Sequence, residues 1–247
     1  MRLAAAILSF VACLGAAPQQ FYNLGDFRLH GGSTLRGCRL GYRILGRLNA
    51  ARSNVVLDLS YFGGTSADSI RDLGPSGFFD PADYYIIAVD ALGNGVSCSP
   101  SNSTSQPGAA FPAFTIDDMV ESERRLLAEH LHLAHVHAIL GISMGPAAPF
   151  DAADWHAQIR AMETLDVAPG ITLAQAAKRV RARMLVISSE RDLVVNPAPA
   201  QEFAQLLGAQ TIVLHGNCGH SAPWCEEGTL RPTIQAFLAE PAGGRRR

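Results

Sequence analysis

The chain has no surplus of charge of either sign: 20 basic and 22 acidic side chains leave a formal net charge of −2 at pH 7. That balance offers no basic face for nucleic acid and no acidic, solvating tail. Charged residues are sparse at 17%, whereas hydrophobic ones reach 48%, the composition of a packed chain rather than a disordered one. Beyond the first residues, no apolar run is long enough to span a bilayer. There is no internal repeat and no linker between two domains. A dinucleotide-type glycine-rich loop is missing after the first strands, so no cofactor is implied. His130, His132, His135 and His137 lie close in sequence. They straddle a helix end and a strand start, so their side chains should diverge. No carboxylate or cysteine stands beside them at a recognised ligand spacing, which argues against a metal centre.

At the N-terminus, Arg2 precedes the apolar stretch Leu3 to Leu14 and the small residues Gly15-Ala16-Ala17. Residues 1–17 read as a cleaved signal peptide, giving a secreted or periplasmic protein. Export permits disulfides. Without Cys13 the cysteines are Cys38, Cys98, Cys218 and Cys225, an even set whose pairing the sequence leaves open. Cys218 and Cys225 bracket His220, so a bridge between them would pin the loop carrying that histidine. Residues 241–247, ending in Arg245-Arg246-Arg247, read as a frayed tail.

Between these ends, residues 21–240 alternate strands and helices, which predicts an α/β fold with a mostly parallel sheet flanked by helices. Phe27–Leu29 and Cys38–Ile44 read as opening strands. Asn54–Leu59 and Tyr84–Val89 are apolar and rich in β-branched or aromatic residues, as buried parallel strands are. Ala91–Pro112 is a loop too long to be a simple connector. Thr115 and Asp118 form a capping-box pattern ahead of a helix with Met119, Leu126, Leu127 and Leu131 on its core face. Val136–Leu140 reads as a strand running into Gly141-Ile142-Ser143-Met144-Gly145. Pro146 and Pro149 interrupt any helix after it. Asp154–Leu165 and Thr172–Val180 look helical. Met184–Ile187 and Thr211–Leu214 read as the last strands, with helices at Pro199–Leu207 and Leu230–Leu238.

Gly141-x-Ser143-x-Gly145 has the form of a nucleophile elbow, a sharp strand-to-helix turn on which the flanking glycines avoid clashes. A serine hydroxyl needs an imidazole to take its proton, and that imidazole needs a carboxylate to orient it. Asp192 follows one late strand and His220 follows the last, so Ser143, Asp192 and His220 stand in the order this architecture uses. The oxyanion hole would use the Met144 N–H and a second N–H from Tyr61 or Phe62, in the loop after Leu59. Taken singly, Asp192 could be a turn residue, His220 a surface histidine and Tyr61-Phe62-Gly63-Gly64 an ordinary turn.

Several segments together resemble the homoserine O-acetyltransferase-like branch of the α/β-hydrolase superfamily. They are Gly41–Asn49, Val89–Gly95, Ser99–Asn102, Thr115–Val120, Gly141–Gly145, Asp154-Trp155, Gln158–Met162, Val195–Pro197 and Cys218–His220. The resemblance implies an acyl-enzyme on Ser143, with a small-molecule acyl ester or acyl donor as partner, and a loop Ala91–Pro112 that walls the site. The Gly93–Gly95 and Ser99–Asn102 segments look more like exported hydrolases, and an exported enzyme meets little acetyl-CoA. Both points favour ester hydrolysis over a homoserine O-acetyltransferase-like reaction using acetyl-CoA. Only 49 positions separate Ser143 from Asp192. By the resemblance, one strand is missing there and the lid is truncated to residues 151–181. A missing strand displaces the Asp192 strand from Ser143 unless the sheet closes the gap, so a catalytically impaired remnant or binding protein is the third reading.

Overall fold

The computed structural model describes residues 17–70, 73–74, 77–142 and 151–240. Residues 1–16 of the expected N-terminal signal and the whole of the expected tail lie outside these residues.

The first strands, β1 (Gln20–Arg28) and β2 (Thr34–Leu45), form an antiparallel hairpin. β1 begins well before Phe27, where a continuous apolar run would have placed it. Its first half pairs Gln20 with Tyr42 and Asn23 with Arg39, and the register then shifts at Gly25. Gly25 sits at φ +66°, a conformation glycine adopts without steric cost, and such a bulge lets both halves of the strand keep their buried side chains inward. β3 (Val55–Leu59) and β4 (Tyr85–Val89) are parallel neighbours, and Val55, Val56, Ile86, Ile87 and Ala88 are wholly inaccessible to solvent. Burial on both faces is why these strands read as largely apolar runs, with buried Asp58 as the one charged residue.

The helix α1 (Ser66–Ser69) follows β3, and α2 (Ile116–Arg125) precedes β5 (Ala138–Gly141). At the start of α2, the Thr115 hydroxyl accepts from the Asp118 N–H and the Asp118 carboxylate accepts from the Thr115 N–H, the reciprocal box the sequence predicts. The helix continues through a π turn over Leu126–His130, with Leu126 fully buried. The five strands run in the order β1-β2-β4-β3-β5. The hairpin joins antiparallel through β2 and β4, while β3, β4 and β5 pair in parallel.

The second half supplies α3 (Ala152–Glu163), α4 (Leu173–Ala177), β6 (Leu185–Ser189), α5 (Ala198–Leu207), β7 (Gln210–Leu214), α6 (Ala222–Cys225) and α7 (Glu227–Ala239). α4 is shorter than the Thr172–Val180 span expected, because hydrogen bonding after Ala177 passes into tight turns at Lys178–Val180. β6 and β7 pair in parallel but form a two-stranded sheet of their own. Among the described residues the sheet therefore does not close over the missing strand. The two sheets meet instead through one apolar cluster. It joins Val56 and Ile86 to Leu214, Ala222, Leu230 and Ile234, with Leu140, Ile142, Leu185 and Ile187 packed against it. No helix among the described residues is long and apolar enough to cross a membrane.

Candidate functional site

The carboxyl ends of β6 and β7 are side by side, with Ser189 opposite Leu214. The two chains leaving them are joined residue by residue. His215 Nδ1 lies 2.8 Å from Glu190 Oε2, Arg191 bonds Asn217, and His220 Nδ1 lies 2.7 Å from Asp192 Oδ2. The last pair is the sheltered one: the His220 and Asp192 side chains are 9% and 13% exposed. Asp192 Oδ1 accepts from the Val194 and Val195 N–H groups, both at 2.9 Å. Burial works against the Asp192 carboxylate, but the Val195 amide, the His220 ring and the Val194 amide outweigh it and hold its pKa below the ordinary value. Asp192 is thus an ionised acceptor, with one oxygen fixed by backbone and the other aimed at the imidazole.

Two features fix the His220 loop. Gly219 has φ +55°, and a Cβ there would lie 3.0 Å from the Arg191 carbonyl oxygen, so the backbone passes close beneath the Asp192 turn only because the residue is glycine. A disulfide joins Cys218 to Cys225, closing the short loop around His220; a second joins Cys38 on β2 to Cys98.

On the larger sheet, Gly141 of β5 and Val89 of β4 both stand opposite Leu59 of β3. The three strands therefore release their chains at one edge, where open α/β sheets place their ligands. From that edge come Tyr61-Phe62, Asp90–Asn94 and Ile142, the residue before Ser143. A small cavity lined by Leu59, Tyr61, Leu140 and Ile142 opens there. Ser143 and Met144, the nucleophile and first oxyanion donor expected from the sequence, lie outside the described residues. Tyr61 and Phe62 are described, and the Phe62 ring packs on Trp155 of α3 with centroids 5.2 Å apart.

Sequence reasoning missed the buried polar groups that hold this edge. Asp90 is inaccessible and accepts from the Ser66 N–H at 2.7 Å and the Ser66 hydroxyl at 2.8 Å. Asn94 donates to the Gly64 carbonyl at 3.0 Å. On α3, Asp154, Gln158 and Ala161 are buried; their spacing of four and then three marks one helical face. Asp154 accepts from the Ser101 N–H and hydroxyl, and Gln158 bonds Gly63 and Leu92. That spacing was the available signal. The histidine run is used elsewhere: His130 Nε2 is 2.9 Å from the Tyr42 hydroxyl and stacks on Tyr22. No group of three metal-binding side chains occurs among the described residues.

The strand order, the crossovers and the carboxyl-edge loops define the α/β-hydrolase fold. An acetylester hydrolase from Corynebacterium glutamicum superposes with a TM-score of 0.80 at 18% identity, covering 90% of this chain and 95% of that structure. No protein-family model matches the chain. By sequence it is similar to a probable esterase of C. glutamicum, at 31% identity over 140 residues, 56% of this chain and 40% of the relative. It is also similar to the homoserine O-acetyltransferase of Methanococcoides burtonii, at 32% over 139 residues, 49% of this chain and 28% of that protein. The chain thus has the α/β-hydrolase fold and is similar in sequence to esterases and homoserine O-acetyltransferases, and it spans less than half the length of these curated relatives.

Proposed function

We propose that the chain is a serine-dependent acyl-transfer enzyme acting on small esters, with water as the acceptor. The observation that carries this reading is the sheltered Asp192–His220 pair at the carboxyl ends of β6 and β7. Ionised Asp192 keeps the proton of neutral His220 on Nδ1, which leaves Nε2 free of a proton and able to accept one. In the proposed reaction, His220 Nε2 takes the Ser143 hydroxyl proton as the oxygen attacks the ester carbonyl. The tetrahedral oxyanion accepts from the Met144 N–H and from the N–H of Tyr61 or Phe62. The C–O bond to the alcohol then breaks, the alcohol leaves with the proton held by His220, and Ser143 carries the acyl group. Water, deprotonated by the same imidazole, releases the acid. Secretion or a periplasmic location, read from residues 1–17, belongs to the same proposal. It favours water over acetyl-CoA as the second substrate.

One observation supports a second reading, an impaired remnant: β5, which leads into Ser143, shares no hydrogen-bonded ladder with β6 and β7. Hydrolysis of p-nitrophenyl acetate by the purified chain, beside Ser143→Ala, decides between them. Turnover abolished by the substitution supports the enzyme. No turnover, or turnover that the substitution leaves intact, supports the remnant.

A further inference from the structure

We infer that Gln158 is the positioning residue of the loop that carries the second oxyanion donor; this rests on the acyl-transfer reading above. The Gln158 side chain is 2% exposed. Its Oε1 accepts from the Gly63 N–H at 3.0 Å, and its Nε2 donates to the Leu92 carbonyl at 3.0 Å. One amide therefore ties the turn after β3 to the turn after β4, the two turns that flank the site. Its path is tight: a Cβ at Gly93 would lie 3.2 Å from Gln158 Cγ and 2.7 Å from the Phe114 ring. Gly63 directly follows Tyr61-Phe62, so holding its amide fixes the Phe62–Gly63 peptide plane, the neighbour of the plane that carries the Phe62 N–H. Within the segment the Gly64 N–H donates to the Tyr61 carbonyl at 2.8 Å, and the Gly64 carbonyl and Ser66 amide bond Asn94 and Asp90; Gln158 adds the tie from Gly63 across to the turn after β4. A helix that the resemblance casts as the remainder of a lid thereby becomes a buttress, with Asp154 anchoring its first turn to Ser101.

A positioning role of this kind acts on the transition state, because a misplaced donor weakens the oxyanion more than it weakens substrate binding. Displacement by about 1 Å corresponds to roughly a hundredfold in rate. The test uses Gln158→Leu, which removes both bonds, and Gln158→Glu. A protonated glutamate can still accept from Gly63 and donate to Leu92, whereas an ionised one turns a negative oxygen toward the Leu92 carbonyl; burial favours the protonated form. The expected results, read on p-nitrophenyl acetate, are a kcat about 10- to 100-fold lower for Gln158→Leu with KM within about twofold. The Gln158→Glu variant should approach the parent at low pH and fall behind it as pH rises. Gly63 amide exchange should quicken in Gln158→Leu. A folded Gln158→Leu variant with kcat within about twofold of the parent, or a Gln158→Glu variant that falls as far below the parent as Gln158→Leu at every pH, overturns the inference. Absence of Ser143-dependent turnover in the parent overturns the acyl-transfer reading instead. The exchange rate of the Gly63 amide, measured without substrate, then still decides whether Gln158 holds the loop: an unchanged rate overturns it.

Discussion

Replacing Asp192 with asparagine tests the site with the least disturbance of its shape. The side-chain carbonyl of the asparagine can accept from the Val194 and Val195 amides as Oδ1 does now, at 2.9 Å each. Those two donors also decide the orientation, because a flipped amide would set N–H against N–H. The amide nitrogen then occupies the place of Oδ2, 2.7 Å from His220 Nδ1. It donates where the carboxylate accepted, so the imidazole must present a lone pair at Nδ1 and carry its proton on Nε2. In that tautomer the ring cannot take the proton of Ser143. Loss of the orienting carboxylate in a serine triad lowers kcat by about 10⁴, or roughly 5.5 kcal/mol of barrier. The pair is sheltered from solvent, so screening should not soften the effect. The same substitution has a stability signature. The folded pKa of Asp192 lies below its ordinary value of 3.8. Its charge therefore stabilises the fold above that pH, and the contribution is lost as pH falls through the folded pKa. Asp192→Asn should lower the unfolding midpoint at pH 7, and the gap from the parent should narrow below pH 3.8. The assays are steady-state ester hydrolysis and thermal unfolding across pH. A variant that keeps more than about a tenth of the Ser143-dependent rate would refute the orienting role.

The two disulfides should separate stability from activity. By loop-closure entropy the Cys38–Cys98 bridge, spanning 60 positions, contributes about 4 kcal/mol, and the Cys218–Cys225 bridge, spanning 7, about 2.5 kcal/mol. Denaturant unfolding should rank the paired serine variants in that order, while ester turnover should suffer more from loss of the bridge beside His220. Gly219→Ala places a side chain at φ +55° and against the Arg191 carbonyl; it should cost about 1–2 kcal/mol in unfolding and lower kcat at least tenfold by parting His220 from Asp192. Burial pushes the half-buried Glu123 carboxyl up to about 8 from 4.5. Stability attached to its neutral form is complete below 4.5 and is lost as pH rises to about 8. Glu123→Gln should therefore gain on the parent in thermal unfolding between pH 5 and 8. The gain should be on the order of 1–2 kcal/mol, because partial exposure screens the roughly 5 kcal/mol of the whole shift.

The parts of the fold legible in the sequence are those governed by local periodicity. Val55–Leu59 and Tyr85–Val89 announce themselves because burial on both faces demands apolar side chains at nearly every position, Asp58 being the exception. The start of α2 is written in Thr115 and Asp118, since a cap is a contact between residues three apart. By contrast, residues 20–23 of β1 alternate partly buried and exposed side chains and depend on a partner strand, so their extent follows from pairing with Arg39–Tyr42. Cysteine pairing is equally non-local: an even set of four admits three pairings, and Cys38 meets Cys98 only through the fold. Gln158 and Asp154 are hidden for a different reason. A buried polar side chain is ordinarily a liability, and nothing local to α3 shows that Gly63, Leu92 and Ser101 wait for it.

The deepest consequence of the short middle is that two kinds of force position the site. Asp192 and His220 leave adjacent parallel strands, and a hydrogen-bonded ladder sets their register residue by residue. The loop after β3 and the chain leaving β5 are likewise fixed to each other by the pairing of Leu59 with Gly141. Among the described residues no ladder runs between these halves. Their relation depends on Ile142 and Leu140 packing with Leu185, Ile187 and Leu214, under Leu230 and Ile234 of α7. Such packing is strong but non-directional; it holds the halves together without counting residues between them. Each half can therefore be well formed while side-chain fit among the described residues sets the separation of the two halves. Precision that an added strand would derive from backbone must here come from the shapes of a few aliphatic residues. Activity in this chain is thus a question about the packing of that apolar cluster as much as about the Asp192–His220 pair itself.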